Sequence, residues 1–228
     1  MTEASSSFLN LAQRLGINAE QWNMLLWQAL CDLRVAMPCQ VVSFDATKQT
    51  VSVQPTIREN INLHSVPTPT ALPVLEDVPI HILGAGNFVV TVPIQAGDEC
   101  VVLFADMCIN AWWEKGDIQN QEDRRRHDLS DGIAIFGLKS QPNRITNYST
   151  DKMQARSLDG TVVVELGTNE IAVTAPTVTI NGSTKVEIDS ANLVNINGSG
   201  QTHVDGKIFL QHKHTGVQTG GGVSGPVF

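Results

Sequence analysis

Positive charge is in short supply in this chain: 15 Lys and Arg stand against 23 Asp and Glu over 228 residues, a formal net charge of −8. That balance opposes nucleic acid or an anionic membrane as an electrostatically held partner, because both are polyanions. No run of eighteen apolar residues occurs, so no helical membrane span is expected. The opening MTEASSSF lacks the basic and apolar regions of a secretory signal, and the expectation is synthesis and solubility in a cytosol. Zinc-type CxxC spacing is absent from Cys31, Cys39, Cys100 and Cys108, which read as buried small hydrophobes rather than ligands or disulfide partners. All four tryptophans and the single tyrosine precede residue 150. A conventional core is therefore expected in the first two thirds of the chain and not in the last.

What is present begins with a helix. Asn18 followed by Gln21 has the form of a capping box, and Trp22, Leu25, Leu26, Ala29, Leu30 and Leu33 recur at helical spacing before Pro38. Such a helix docks on its own domain or caps a neighbouring copy. From Cys39 the period changes to two. Gln40 to Phe44 and Thr50 to Gln54 read as a hairpin, Pro67 to Pro79 as a surface loop with an extended segment near Pro73 to Leu75, and further strands as His81 to Leu83, Phe88 to Val92, Cys100 to Phe104 and Ile133 to Phe136. Five or six short strands in this span imply a small closed or partly open barrel. Gly84-Ala-Gly86 reads as a tight turn, since GxG without a following helix is a weak phosphate-loop signal. Arg124-Arg-Arg-His127, flanked by Glu122, Asp123 and Asp128, reads as a solvated loop or a contact to an acidic neighbour.

Residues 141–160 are polar and aperiodic, as a linker would be. From Thr161 the alternation becomes strict: Val162, Val164 and Leu166, then Ile171 and Val173, Val178 and Ile180, Val186 and Ile188, Val194 and Ile196. These are short strands with one apolar face, wound repeatedly about an axis. Nothing within so short a segment could cover that face, so other copies must. Three chains, each forming one wall of a triangular prism, would bury all three faces on a common axis and leave few free edges. Strands stacked at ~4.7 Å over about six layers make a rod of roughly 30 Å, close to the ~30 Å hydrocarbon core of a bilayer.

Near the C-terminus His212 and His214 stand two apart, followed by a Gly-rich tail. On extended backbone, i and i+2 side chains share a face, which is metal-ligand spacing. One chain supplies two ligands where a site takes four to six, and three chains would present six nitrogens. Six imidazoles suit Fe or Ni better than Zn.

Three stretches resemble the central spike of contractile phage tails, the baseplate assembly protein V or membrane-piercing spike family. They are Pro93 to Phe104, Arg125 to Gly137, and His212-Lys-His-Thr-Gly-Val-Gln-Thr-Gly-Gly-Gly222. The resemblance implies an all-β chain: an N-terminal helical segment (1–37), an oligonucleotide/oligosaccharide-binding-type (OB-type) barrel (38–140), a linker (141–160), an intertwined trimeric β-helix (161–207) and a metal-stabilised apex (208–228). It implies one structural Fe ion per trimer, held by His212 and His214 of each of three chains. It further implies a homotrimer bound through its barrel to a tail hub or baseplate protein and driven through the host outer membrane on tail contraction. Assembly would be in the host cytoplasm and the final place the tail tip of the virion, with no enzymatic activity and no nucleic-acid partner. The rival class is a β-helical tailspike enzyme that cleaves surface polysaccharide with paired carboxylates, for which Glu165, Glu187 and Asp189 are the candidates. A related secretion or bacteriocin particle could use the same tip. His64, His81 and His127 read as structural, and His203 as a surface or inter-strand residue of the rod.

Overall fold

The computed structural model describes residue 16 and residues 18–63, 66–196, 202–204 and 207–208. Two compact units divide it, one ending at Thr150 and one beginning at Asp151. Each is described by itself.

The first unit opens with helix α1, Ala19–Asp32. The capping box forms as the sequence predicts: the Gln21 amide donates to Asn18 Oδ1 at 2.8 Å, and the Asn18 amide donates to Gln21 Oε1 at 3.1 Å. Together they satisfy two of the four donors that a helix start leaves free. The apolar stripe of α1 is uncovered in the single chain, with Leu25, Leu26 and Leu30 exposed. Cys31 lies on this helix and is exposed, which corrects its reading as a buried hydrophobe.

The strands follow in order as β1 (Ala36–Asp45), β2 (Thr50–Pro55), β3 (Glu59–Leu63), β4 (Val66–Thr70), β5 (Leu75–Pro79), β6 (Leu83–Ala85), β7 (Phe88–Val90) and β8 (Glu99–Phe104). A short helix α2 (Asn110–Lys115) and β9 (Gly132–Phe136) complete the unit's main elements. β5, β2, β1, β8 and β9 form one antiparallel sheet in that order. Its two outer strands approach each other: Ile80, just past β5, bridges in parallel to Ala134 of β9, and the His81 amide donates to the Ala134 carbonyl at 2.8 Å. The sheet thus curls into a partly open barrel. Register irregularities at Val41/Ser43 and Val51/Val53 let it bend, as bulges do.

Alternation of burial along β1, β2 and β8 sends Cys39, Val51, Val53, Cys100, Val102 and Phe104 into the barrel interior. Each fully buried valine there contributes about 1.5 kcal/mol or more. Gly132 opens β9 at a point of close approach, since a Cβ there would lie 2.7 Å from Val102 Cγ1. Burial pushes the Cys39 thiol up to about 12 and the Cys100 thiol up to about 11, with the neighbouring Cys100 and Asp98 respectively adding to the effect. Both stay protonated and inert.

Two small hairpins project from this scheme. β3 and β4 pair in register from Glu59↔Thr70 to Leu63↔Val66 and β5 pairs with β2 in the barrel, so both ends of the proline-rich stretch are strands and not the surface loop its composition predicts. Pro67 and Pro69 occupy alternate positions, so both present their missing N–H to the free edge of the pair, where no ladder bond is lost. β6 and β7 pair across Gly86 and Asn87, and Gly86 at φ +59° supplies the left-handed backbone that a two-residue hairpin turn favours. The tight turn expected within Gly84 to Phe88 thus falls at Gly86 and Asn87, with Gly84 and Ala85 in β6.

In the second unit β10 (Met153–Arg156), β11 (Val163–Leu166) and β12 (Ile171–Thr174) form a three-stranded antiparallel sheet. β10 falls within the stretch whose composition reads as a linker. Its polar residues belong to one face of this sheet and so carry no apolar period. Farther on, β13 (His203–Val204) pairs with β14 (Lys207–Ile208).

Candidate assembly surface

The register of the three-stranded sheet decides which side chains share a face. Met153 stands opposite Leu166, and Leu166 opposite Ile171; Ala155 stands opposite Val164, and Val164 opposite Val173. One face is therefore wholly apolar, and it is the exposed one, from 37% exposure at Val164 to 75% at Ile171. The other face carries Gln154 opposite Glu165 and Arg156 opposite Val163, and these four side chains are half-buried.

That polar face is knitted together. Lys152 Nζ bridges Glu165, at 3.5 Å, and Glu170, while Gln154 Nε2 donates to Glu165 Oε1. The hydrogen bond to Glu170 raises the Lys152 ammonium, and the Gln154 hydrogen bond chiefly lowers the Glu165 carboxyl. At the turn into β11, Asp159 accepts from the Ser157 hydroxyl and from the Thr161 amide and hydroxyl, which holds it below the usual carboxylate range. The distribution is inverted relative to an isolated soluble sheet, whose apolar face would be the covered one.

The apolar rows continue beyond the sheet. Val178, Ile180, Val186, Ile188, Val194 and Ile196 are all exposed, and residues 175–196 form no strand ladder among the described residues. Their alternation is that of strands, yet their backbone hydrogen-bonding groups find no partner strand among the described residues of this chain. Large exposed apolar surface of this kind marks an interaction site.

Of the residues singled out from the sequence, His212, His214 and His64 lie outside the described residues. No group of three or more His, Cys, Asp or Glu side chains suited to a metal occurs among the described ones. His203 is exposed on β13 and His81 is exposed beside β5. Of the rival enzyme's acids, Glu165 is engaged by Lys152 and Gln154, Glu187 pairs with Lys185 at 2.7 Å, and Asp189 is exposed.

Of the basic run, Arg124 is exposed as in a solvated loop, and Arg125, Arg126 and His127 make contacts within the first unit. Arg125 Nε donates to Asp131 Oδ2 at 2.6 Å and its Nη2 to Asp131 Oδ1 at 3.0 Å, with Asp131 0% exposed. The Ile109 amide adds a third bond to Asp131 Oδ1 at 2.9 Å. Burial alone would raise the Asp131 carboxyl; the Arg125 and Ile109 hydrogen bonds outweigh it and hold the group below its ordinary value. Arg126 pairs with Asp106 at 2.7 Å, and His127 Nε2 lies 3.5 Å from the same carboxylate while its Nδ1 is buried without a partner. The cluster pins the segment before β9 against the loop before α2. The sequence marks Asp131 only as an acidic residue just before the apolar run of β9, which does not by itself predict its partner.

Residues 37–137, which span the curled barrel, match the sequence model of the family described as phage protein Gp138 N-terminal domain. The match covers just under half of the chain and supports a structural protein of a phage particle. No curated protein matches the chain.

Proposed function

We propose that three copies of this chain form the cell-puncturing spike at the tip of a contractile phage tail. The observation that carries the reading is the inverted second unit, where a half-buried polar network backs an exposed apolar face continuous in sequence with further exposed Val and Ile rows. Three such faces turned to a common axis would bury one another, and neighbouring chains would supply the strand partners that residues 175–196 lack. The result is a trimeric β-helical rod of roughly 30 Å, judged by strand spacing. The family match over residues 37–137 supports a phage assignment for the barrel, whose strand order suits an OB-type fold. In this reading the barrel is an adaptor to the tail hub or baseplate, the residues between it and β10 connect it to the rod, and residues 208–228 form the apex.

The donor chemistry of the tail fits a structural metal. His212 and His214 from three chains would give six imidazole nitrogens, a set suited to octahedral Fe, with no position left for substrate. Bound there, the ion would tie three chain ends at the point of greatest force. The chain's activity is thus mechanical. It belongs to the virion, it acts transiently on the host outer membrane, and it binds no nucleic acid.

Sedimentation equilibrium of the purified chain tests the core of this reading, with three chains per particle expected and a folded single chain refuting it. Incubation with capsular polysaccharide or lipopolysaccharide is expected to yield no cleavage product. Product that disappears in a Glu165→Gln or Asp189→Asn variant would move the chain to the tailspike enzymes.

A further inference from the structure

The first unit carries both a tongue and a slot. From Val78 to Gly97 the chain has no Asp, Glu, Lys or Arg, an uncharged stretch in a molecule of net charge −8. Within it the β6–β7 hairpin holds its apolar side chains out to solvent: Phe88 is 82% exposed, and Leu83, Val89 and Val90 are more than half exposed. Beside the barrel lies an apolar cleft of about 390 Å³. Its floor is Phe44, Ile80, Ile94 and Phe136, all packed against the barrel core, and its wall is the root of the hairpin at Leu83 and Val90. No Asp, Glu, Lys or Arg side chain lines it, and Gln49, His81 and Thr91 supply its polar groups. The ring of Phe88 is not among the lining groups, so the tip of the hairpin lies outside the slot of its own chain.

We infer that the β6–β7 hairpin, led by Phe88, inserts into the cleft of a neighbouring copy of this chain. The Phe88 tip of the tongue is not part of the slot, so the contact is heterologous: each copy gives to one neighbour and receives from the other. Such contacts close into a ring when the rotation allows. Three is the number that the apolar faces of the second unit require, and the inference rests on that three-copy reading. An exposed aromatic set opposite a desolvated apolar pocket is the usual anchor of an interface. The slot presents no Asp, Glu, Lys or Arg to a charged ligand, whereas the uncharged, apolar tongue of a second copy matches it in chemistry.

The test uses the full chain and two variants: Phe88→Asp, which charges the tongue, and Ala46→Trp, which fills the slot from the β1–β2 turn. Mass is read by sedimentation equilibrium and amide exchange by mass spectrometry. All three proteins are expected to remain three-chain particles held by their second units. Amides of residues 83–90 should exchange on the order of 10-fold faster in both variants than in the parent. Equal exchange in parent and Phe88→Asp, or faster exchange in Phe88→Asp but not in Ala46→Trp, overturns the insertion while leaving the trimer intact. A parent chain that sediments as a monomer defeats the three-copy reading first, and the insertion with it.

Discussion

Arg125 and Asp131 form the tightest charged contact of the first unit, two parallel hydrogen bonds of 2.6 and 3.0 Å between a guanidinium and a carboxylate that is itself 0% exposed. Bidentate geometry of this kind joins direction to charge. The pair connects the turn that starts β9 to the segment of Arg124 to His127, and through Ile109 to the approach to α2. Closure of the barrel at Ile80 and Ala134 depends on β9 being held in place.

Removing one partner strands the other. Asp131→Ala is expected to lower the stability of the first unit by about 3 kcal/mol, the range seen when a buried pair is broken, as measured by urea unfolding. A loss under about 0.5 kcal/mol would show that the pair is dispensable. Because the folded-state pKa of Asp131 lies below its unfolded value near 4, its contribution is fully present above that unfolded value and fades as pH falls through the folded one. The stability difference between parent and Asp131→Asn should accordingly shrink below about pH 4.

Val164 and Val173 face each other across β11 and β12 on the exposed apolar face. Placing a charge on that row should prevent association, because an unpaired buried carboxylate costs several kcal/mol in each of three chains. Val164→Asp and Val173→Asp are each expected to convert three-chain particles into single chains at micromolar concentration. Glu165→Gln, on the opposite face, should leave the mass unchanged. Equal sedimentation of the parent and both Asp variants would remove this face from the interface.

For the apex, elemental analysis of the purified parent is expected to find about one metal ion per three chains, as a six-imidazole site demands. The double variant His212→Ala, His214→Ala should lose that metal and keep the three-chain mass, since the apolar rows lie elsewhere in the chain. Unchanged metal content in the variant would place the ion on other ligands.

Thiol labelling separates the cysteines. Cys39 and Cys100 stand opposite each other across β1 and β8, buried, with thiols raised to about 12 and about 11. They should react on the order of 1000-fold more slowly than in the denatured chain, as residues exposed only by global opening do. Fast labelling of either in the native protein would contradict the packing of the barrel.

The parts of the fold legible in the sequence are those set by local chemistry. The Asn18 and Gln21 cap and the β1–β2 hairpin follow from residue type and spacing within a few positions. Pro67 and Pro69 misled because proline weakens a strand only where its N–H is needed, and on a free edge it is not. Arg125 and Asp131 could not be paired from sequence, because two turns of the loop must fold before their charges meet. The rows from Val162 to Ile196 were readable as strands, yet only Val163–Leu166 and Ile171–Thr174 form a ladder in one chain. A strand is completed by backbone groups on its neighbour, and no pattern within Val178 to Ile196 supplies them. His212 and His214 rest on spacing and resemblance alone.

The alternating prolines of β4 also limit what can be added to this protein. With Thr68 turned to β3 and Pro67 and Pro69 turned outward, the outer edge of the hairpin offers carbonyls but lacks N–H donors at those positions. An incoming strand could donate to that edge and receive little in return, so lateral growth of the sheet stops there. Such a one-sided edge disfavours open-ended addition of strands along β4.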